Sequence, residues 1–199
     1  MLAVATAYSA RAAEYADALG SMDAVHPSDR QLVATWARTV SGRVLDAGCG
    51  PGHWTRFLHT LGVDVRGIDL APEFVDHARA THPDVTFERG DIDATDERGG
   101  SLGGILAWFS TIHHAPAQIH VPLTEFARVL RPGGTLLLGY FDGTAIEPFD
   151  HAVVRAYRWP AGELSAALDA AGFDIIETHR RTERGRRDVG ALLGERRAR

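Results

Sequence analysis

The stretch from Val44 to Phe57, VLDAGCGPGHWTRF, constrains the fold of this 199-residue chain more than any other segment. A short apolar run comes first, an acid follows, and glycines then occupy three alternate positions, Gly48, Gly50 and Gly52. Glycine reaches positive φ without a steric penalty and lets another group approach the backbone closely. The pattern predicts a strand that runs into a glycine-rich turn and then into a helix, an arrangement that binds nucleotides.

The residues around this turn argue against one common nucleotide site and exclude another. The dinucleotide fingerprint places a third glycine where this chain has His53, and the Gly-Lys-Ser/Thr sequence of a phosphate-binding P-loop does not follow. All 21 basic residues of the chain are arginines. Lysine chemistry, including a Schiff base and the Tyr-x-x-x-Lys pair of short-chain dehydrogenases, is therefore excluded for this chain.

Composition and charge are those of an ordinary globular protein. Hydrophobic residues make up 45% and charged residues 24% of the sequence, and the net charge of −5 argues against nucleic acid as a partner. The single cysteine, Cys49, excludes an internal disulfide and a cysteine-based metal cage. The first residues lack the features of a signal peptide, and no apolar run reaches the length of a membrane span. We expect a reduced, cytoplasmic, single-domain protein with no membrane association.

Short β-branched runs alternate with helical segments from Arg43 onward, which predicts a doubly wound α/β sheet of parallel strands. The strand candidates are Arg43–Leu45, Asp64–Ile68, Val85–Glu88, Gly104–Phe109 and Thr135–Tyr140, with helices near His53–Leu61, Pro72–Ala80 and Val121–Leu130. A last amphipathic helix is expected to stop at Gly172, before two strands that form an antiparallel hairpin at the sheet edge. Residues 1–42 are predicted to be helical, with Asp29 as the N-cap of their second helix.

Five motifs resemble, in their order along the chain, those of the class I S-adenosylmethionine-dependent methyltransferases. They are LDAGCGPG, VRGIDLAPEFVDHAR, VTFERGDI, LRPGGTLLL and LSAALDAAGFDII. The resemblance implies a Rossmann-like fold, with a mostly parallel sheet of seven strands, helices on both faces and an antiparallel last strand. It also implies one methyltransferase domain over residues 1–199, in which residues 43–199 bind the cofactor and residues 1–42 form a helical lid.

The same resemblance assigns residues to S-adenosylmethionine, whose product is S-adenosylhomocysteine. Amides at the start of the helix after the turn attract the methionine carboxylate, and Asp46 faces the ammonium group or braces the loop. Asp69 accepts hydrogen bonds from the ribose hydroxyls, and Asp91 accepts one from the adenine amino group. The further cofactor-binding positions are Gly48, Cys49, Gly50, Gly52, Leu70, Ile92, Phe109 and Tyr8. The alternatives are a solvated strand-end acid at Asp69 and a small buried residue at Cys49.

The residues expected near the transferred methyl group follow the fourth strand. His113 and His114 are the candidates for a general base, because histidine titrates near neutral pH; in the alternative, one packs and the other faces solvent. Ser110 and Ile112 belong to the same segment. A wall of the acceptor pocket is predicted from the candidates Tyr140, Phe141, Asp142, His151, Tyr157 and Trp159. No metal site is expected, because adjacent histidines are poor ligands for one ion and no HExxH motif is present.

Three functions remain open at this point. The first is transfer of a methyl group to an oxygen, nitrogen or carbon atom of a small molecule; the others are a non-catalytic SAM-binding module and a nicotinamide-dependent oxidoreductase. The absence of a proline-tyrosine motif after the fourth strand argues against methylation of DNA bases. The lid is expected to contact the cofactor through Tyr8 or Tyr15, unless both belong to one buried helix face.

Several other features are predicted to be structural. Gly103 and Gly104 open the fourth strand, where many relatives carry an acid, and are expected to loosen the structure there. The basic run from Arg180 to Asp188 is interpreted as the solvated tip of the last hairpin, with a phosphate site as the alternative. The sequence leaves a monomer and a homodimer equally open.

Overall fold

The computed structural model describes residues 2–9, 11, 14 and 20–198, so the predicted contact residue Tyr15 lies outside it. Helices and strands alternate through most of the described chain. The helices are α1 (Leu2–Ser9), α2 (Pro27–Thr39), α3 (His53–Thr60), α4 (Pro72–Thr81), α5 (His120–Val129) and α6 (Ala161–Ala171). The strands are β1 (Val44–Ala47), β2 (Val65–Asp69), β3 (Thr86–Arg89), β4 (Leu102–Trp108), β5 (Leu130–Asp142), β6 (Glu147–Phe149), β7 (Ala156–Trp159), β8 (Phe173–Arg181) and β9 (Val189–Arg196).

One mixed sheet organises the described residues. Seven strands lie in the order β3-β2-β1-β4-β5-β9-β8, and the first five are parallel. Strand β9 runs antiparallel to both β5 and β8. The predicted doubly wound sheet with an antiparallel last strand is therefore confirmed, as is the hairpin at its edge. Because β1 is central, the turn that follows it lies between the ends of β2 and β4.

Each face of the sheet buries its own hydrophobic cluster, as the period-two alternation of strand side chains requires. Leu136 and Leu138 of β5 pack with the cluster that includes Phe126 of α5 and Leu168 of α6. Leu137, between them, packs on the opposite face with the cluster of α2 and α3, which contains Trp36, Trp54 and Leu58. Helices therefore cover both faces, and the strand ends are left to form the site.

Strands β6 and β7 were not predicted. Strand β4 pairs with β5 as far as Gly139, and β7 then continues along the same edge of β5, opposite Phe141 and Asp142. Strand β6 pairs with β7 alone. These short strands give a regular structure to part of the segment that was expected to form the acceptor wall.

Two local predictions are corrected by the structure. The N-cap of α2 is His26, whose ring nitrogen accepts a hydrogen bond from the Ser28 amide, because Pro27 already fixes the first helical position. The predicted cap, Asp29, lies in the first turn instead. The glycines of β4 are tightly packed and not loose, since a Cβ on Gly103 would lie 1.9 Å from the Ser41 carbonyl oxygen. Within the described residues, no helix is long and apolar enough to span a membrane.

Candidate active site

A cavity opens above the carboxyl ends of β1, β2, β3 and β4, where ligands bind in open α/β sheets. Its walls come from five separate segments of the sequence. Among the residues predicted from the sequence, the cavity brings together Tyr8, Gly48, Gly50, Asp69, Leu70, Asp91, Ile92, Phe109 and His113. Val4, Phe74 and Trp108 also line it and were not predicted. We call this space the first cavity.

The glycine turn is fixed to the neighbouring strand by backbone hydrogen bonds. The amides of Gly48 and Cys49 both donate to the carbonyl of Ile68 on β2, each at 2.9 Å. Gly48 has a φ of +79°, and a Cβ there would lie 2.4 Å from Cβ of Ser110. A Cβ on Gly50, which has a φ of +52°, would meet nothing within 4 Å. The turn is therefore compact at Gly48 and open to the cavity at Gly50.

Gly52 has a different role from the other two glycines. A Cβ on this residue would lie 2.8 Å from the Phe87 ring and 2.9 Å from the Ala78 side chain. Its φ of +89° begins helix α3. Because Gly52 has no side chain, α3 packs closely against β3 and α4 at this residue.

Asp69 connects the end of β2 to the glycine turn. One carboxylate oxygen accepts from the Gly50 amide and the other from the Ala71 amide, both at 2.9 Å. The side chain is half-buried, and burial raises the pKa of its carboxyl group. Each oxygen retains the capacity for a further hydrogen bond. The residue can therefore accept from a diol in the first cavity without releasing the turn.

Asp46 lies on the other side of the turn. Its carboxylate accepts a hydrogen bond of 2.6 Å from the Thr55 hydroxyl. Burial raises the pKa of this carboxyl to about 7, with a contribution from the charge of Asp69. Asp46 and Cys49 line a second cavity, which shares Gly48, Gly50, Trp108 and Phe109 with the first.

Asp91 and its neighbours form the far end of the first cavity. An oxygen of Asp91 accepts from the Asp93 amide at 3.0 Å, which holds the loop after β3 in a tight turn. Leu70 and Ile92 add apolar surface to the same cavity. Carboxylate and apolar groups therefore line the position that the resemblance assigns to adenine.

The two predicted histidines have different surroundings. His114 is buried, and its ring nitrogens contact the Asp93 carboxylate at 2.7 Å and the Thr111 carbonyl at 3.2 Å. His113 lines the first cavity, where its Nε2 accepts from the Tyr8 hydroxyl at 2.8 Å. Its Nδ1 lies 2.8 Å from the Arg155 carbonyl, which requires a proton on Nδ1. Burial lowers the pKa of His113, so the ring is a neutral base.

Helix α1 covers one side of the first cavity. The Tyr8 ring lies against Phe74 of α4, with centroids 5.7 Å apart, as well as against His113 at 5.5 Å. The side chain of Arg11 bonds to the carbonyl of Ala152, which lies between β6 and β7. The N-terminal segment therefore contacts both the β2 end and the β5–β7 end of the site.

Phe109 separates the two cavities at the end of β4. It is the one non-glycine residue of the described chain with a positive φ, 58°, a conformation that costs about 1–3 kcal/mol. Its ring packs on Trp108 and Phe141, with centroid distances of 5.6 and 5.0 Å. Such a strained backbone is maintained only where its surroundings enforce it, as at binding sites.

The second cavity receives some, but not all, of the predicted acceptor residues. Phe141 and His151 line it, together with Trp54 and His53, which were not predicted. Tyr140 and Trp159 are buried in the core. Asp142 is also buried and pairs with Arg180 at 2.5 Å, and Tyr157 packs against the main hydrophobic cluster. Trp54 could have been found from its position in the first turn of α3, two residues after Gly52.

Comparison with known proteins agrees with this geometry. Residues 44–134 match the family described as a methyltransferase domain (Methyltransf_25). The chain is 30% identical to malonyl-[acyl-carrier protein] O-methyltransferase of Erwinia billingiae over 61% of its own length and 48% of that protein. It is 31% identical to ubiquinone biosynthesis O-methyltransferase of Xanthomonas campestris pv. campestris over 68% of its length and 57% of that protein. The chain thus spans about half the length of these relatives.

A solved structure extends the likeness to the whole fold. The 1,6-didemethyltoxoflavin-N1-methyltransferase of Burkholderia thailandensis, with bound 1,6-didemethyltoxoflavin and S-adenosylhomocysteine, superposes with a TM-score of 0.77 at 19% identity. The superposition covers 98% of this chain and 89% of that one. Residues 44–134 thus match a methyltransferase domain, and the described chain shares the fold of a methyltransferase structure that holds S-adenosylhomocysteine.

Proposed function

We propose that this protein binds S-adenosylmethionine in the first cavity and transfers its methyl group to a small molecule. One observation carries the proposal: five separate segments, from helix α1 and the ends of β1, β2, β3 and β4, converge on a single cavity. When bound, S-adenosylmethionine supplies a methyl group on a sulfonium, so that the leaving group is a neutral thioether.

The chain's residues fit this ligand. The open space at Gly50, where a Cβ would meet nothing within 4 Å, allows a ligand to lie directly on the backbone. Asp69 offers oxygen acceptors to a ribose diol, and Asp91 offers them to an adenine amino group. Asp46, on the second-cavity side of the turn, is suited to an ammonium group. In this proposal Leu70, Ile92 and Phe109 contribute apolar contacts, while Cys49 and Gly52 shape the turn.

His113 is proposed as the group that removes a proton from the acceptor. Its Nε2 is the unprotonated nitrogen, because Nδ1 donates to the Arg155 carbonyl. The Tyr8 hydroxyl, 2.8 Å from Nε2, passes its own proton to His113 as it receives the acceptor's proton. A positioned base contributes about 10²–10⁴-fold to a rate, and alignment of the acceptor supplies much of the remainder. His114 holds the loop and takes no part in this step.

The names of the relatives favour a small-molecule acceptor. Two relatives are O-methyltransferases, and the structural neighbour binds 1,6-didemethyltoxoflavin. We propose that residues 1–199 act as a single domain, with α1 as part of a lid over the first cavity. The cytoplasmic location and the choice between monomer and homodimer stay predictions from the sequence.

Calorimetric titration of the purified protein with S-adenosylmethionine, S-adenosylhomocysteine and NADH tests the proposal. We expect micromolar binding of the first two and none of NADH. Absence of binding at millimolar S-adenosylmethionine would overturn the function. A second step, incubation with methyl-labelled S-adenosylmethionine and a panel of hydroxylated and nitrogen-containing small molecules, separates an enzyme from a non-catalytic binding module. Label in no acceptor, despite tight cofactor binding, would favour the binding module.

A further inference from the structure

Four aromatic side chains, Trp54, Trp108, Phe109 and Phe141, line the second cavity. Its volume is about 270 Å³. The four side chains form a continuous run of rings, in which the centroid distances are 5.5 Å from Trp54 to Trp108, 5.6 Å from Trp108 to Phe109 and 5.0 Å from Phe109 to Phe141. Aromatic rings contact one another favourably by offset stacking or edge-to-face packing. The cavity therefore favours a planar, unsaturated molecule.

The charged side chains that line this cavity already have partners. Arg181 binds Asp29 at 2.7 Å, and Arg186 lies 3.4 Å from Glu183. Among the described residues, the buried Asp46 has only Thr55 as a partner, and the proposed function assigns this acid to the ammonium group of the cofactor. The charges that remain for a second ligand, on Asp29, Arg181 and Arg186, are all paired within the protein. A charged ligand would have to break one of these interactions or lose its hydration without compensation.

Two imidazoles, those of His53 and His151, add neutral polar groups to the lining. Burial lowers the pKa of His53 to about 4, with a contribution from His82. Burial also lowers the pKa of His151 to about 4, and the charges of His113, Arg187 and Arg11 add to this effect. A neutral imidazole has one donor and one acceptor nitrogen. His151 Nδ1 accepts from the Val153 amide at 3.4 Å, which leaves its Nε2 as the donor.

We infer that the second cavity holds the methyl acceptor, where the His151 ring of its wall lies 5.4 Å from the His113 ring, and that this acceptor is an uncharged, planar aromatic molecule. The aromatic run supplies its contact surface, the paired charges disfavour an ion, and the imidazoles match its hydroxyl or carbonyl groups. The identification of the bound molecule as the acceptor, and the assignment of Asp46 to the cofactor, rest on the proposed function.

Equilibrium dialysis with three naphthalene probes tests the inference on the wild-type protein. The probes are 2-naphthol, which is neutral at pH 7, the 2-naphthoate anion and the 2-naphthylmethylammonium cation. Each is measured with and without saturating S-adenosylhomocysteine. We expect 2-naphthol to bind at least about tenfold more tightly than either ion, since an ion gains no free counter-charge. Equal or tighter binding of an ion, or no binding of any probe, would overturn the inference.

Matched variants locate the bound probe. Phe141 lines the second cavity and not the first, so Phe141→Ala should weaken 2-naphthol binding by about fivefold to tenfold and leave S-adenosylhomocysteine binding unchanged. Ile176→Ala, which removes an exposed apolar side chain from β8, is the control and should change neither. Should Phe141→Ala fail to fold, Phe141→Leu is used, and the wild-type probe series still decides the outcome.

The arginines provide a second pair of variants. Arg186 lines the second cavity, whereas Arg184 is an exposed residue of the same β8–β9 turn. Neither Arg186→Gln nor Arg184→Gln should change 2-naphthol binding. If 2-naphthoate binds tightly and only Arg186→Gln abolishes this binding, the acceptor is an anion and our inference is wrong.

The two proposals fail in different ways. Binding of 2-naphthol without any binding of S-adenosylhomocysteine would leave the selectivity of the cavity standing and overturn the proposed function. Binding of S-adenosylhomocysteine together with preferred binding of an ion would leave the proposed function standing and overturn the selectivity of the cavity. Naphthalene probes bound equally by wild type and Phe141→Ala would place them elsewhere and overturn the inference.

Discussion

The two cavities of this protein share a wall but are built from different materials. The first is shaped by strand ends and by backbone groups, such as the amides of Gly50 and Ala71 that bind Asp69. The second is shaped by side chains from separate elements, such as Trp54 of α3, Phe141 of β5 and His151 between β6 and β7. A site made of backbone follows from the fold, whereas one made of side chains can change without altering the sheet. The family resemblance is therefore concentrated in the first cavity, and the features particular to this chain lie in the second.

The largest effect is expected for Gly48→Ala, which adds a side chain to the glycine turn of the first cavity. The new Cβ would lie 2.4 Å from Ser110 Cβ, in a residue with a φ of +79°. We expect a loss of about 2–5 kcal/mol in the free energy of unfolding, from the strained φ and the clash together. Urea denaturation measures it, and calorimetry should show a concurrent loss of S-adenosylhomocysteine binding.

Gly133→Ala is the matched control, because Gly133 has a φ of +73° and no atom within 4 Å of an added Cβ. It should cost only the φ penalty, about 1–2 kcal/mol. Equal destabilisation of the two variants would mean that close packing at Gly48 is unimportant to the turn.

Asp46→Asn tests whether a buried acid at the shared wall opposes folding. The pKa of Asp46, raised to about 7, means that the folded protein retains a proton that the unfolded chain loses above the ordinary value of 3.8. Stability therefore falls as the pH rises between about 4 and 7 and levels off above this window. The substitution should flatten that slope and stabilise the ligand-free protein at pH 8 by about 2–4 kcal/mol.

Urea denaturation at a series of pH values checks this expectation, with Asp76→Asn, an exposed aspartate of α4, as the control for net charge. S-adenosylmethionine binding should weaken in Asp46→Asn at the same time, because the proposed function assigns this acid to the ammonium group. A stability gain of the same size in Asp76→Asn would assign the effect to net charge and not to burial.

Asp69→Asn sharpens the contrast within the first cavity. The amide keeps one oxygen but cannot accept from Gly50, Ala71 and a ribose diol together. We expect a loss of about 1–3 kcal/mol in S-adenosylhomocysteine affinity, as for hydrogen bonds to charged groups, with 2-naphthol binding in the second cavity unchanged. Calorimetry measures both ligands, and unaltered nucleoside affinity in a folded variant would remove Asp69 from the site.

The smallest expected effect is that of Tyr8→Phe, where α1 lines the first cavity. The change removes the 2.8 Å bond to His113 and keeps the ring against Phe74. We expect a loss of about 0.5–1.5 kcal/mol in the local stability of α1. Amide hydrogen exchange over residues 4–8 measures it. Tyr157→Phe removes a hydroxyl from β7, and equal exchange in both variants would contradict a role for the Tyr8–His113 bond.

The sequence predicted the backbone-built part of the molecule well. Glycines at alternate positions and an acid after the next strand have few structural alternatives, so the turn and the position of Asp69 at the end of β2 followed from spacing. His113 was placed near the site because it follows the fourth strand. The separate roles of His113 and His114 depend on tertiary contacts, to Tyr8 and to Asp93, that adjacent positions in a sequence do not reveal.

The second cavity was harder to predict, for physical reasons. Trp54 and Trp108 meet through the order of the strands, and no local period relates them. Strands β6 and β7 are three and four residues long and form because β5 extends beyond the end of β4. The N-cap was misassigned because aspartate is the commoner cap, although Pro27 at the first helical position makes His26 the cap.

The position of Phe109 has a consequence for how two ligands affect each other's binding. Its ring lines both cavities, and its positive φ ties it to the end of a central strand. A ligand that fixes this ring from one side changes the space available on the other. By thermodynamic reciprocity, each ligand then changes the affinity of the other by the same factor. In the proposed function, Phe109 would therefore couple the binding of donor and acceptor at one side chain, without any movement of domains.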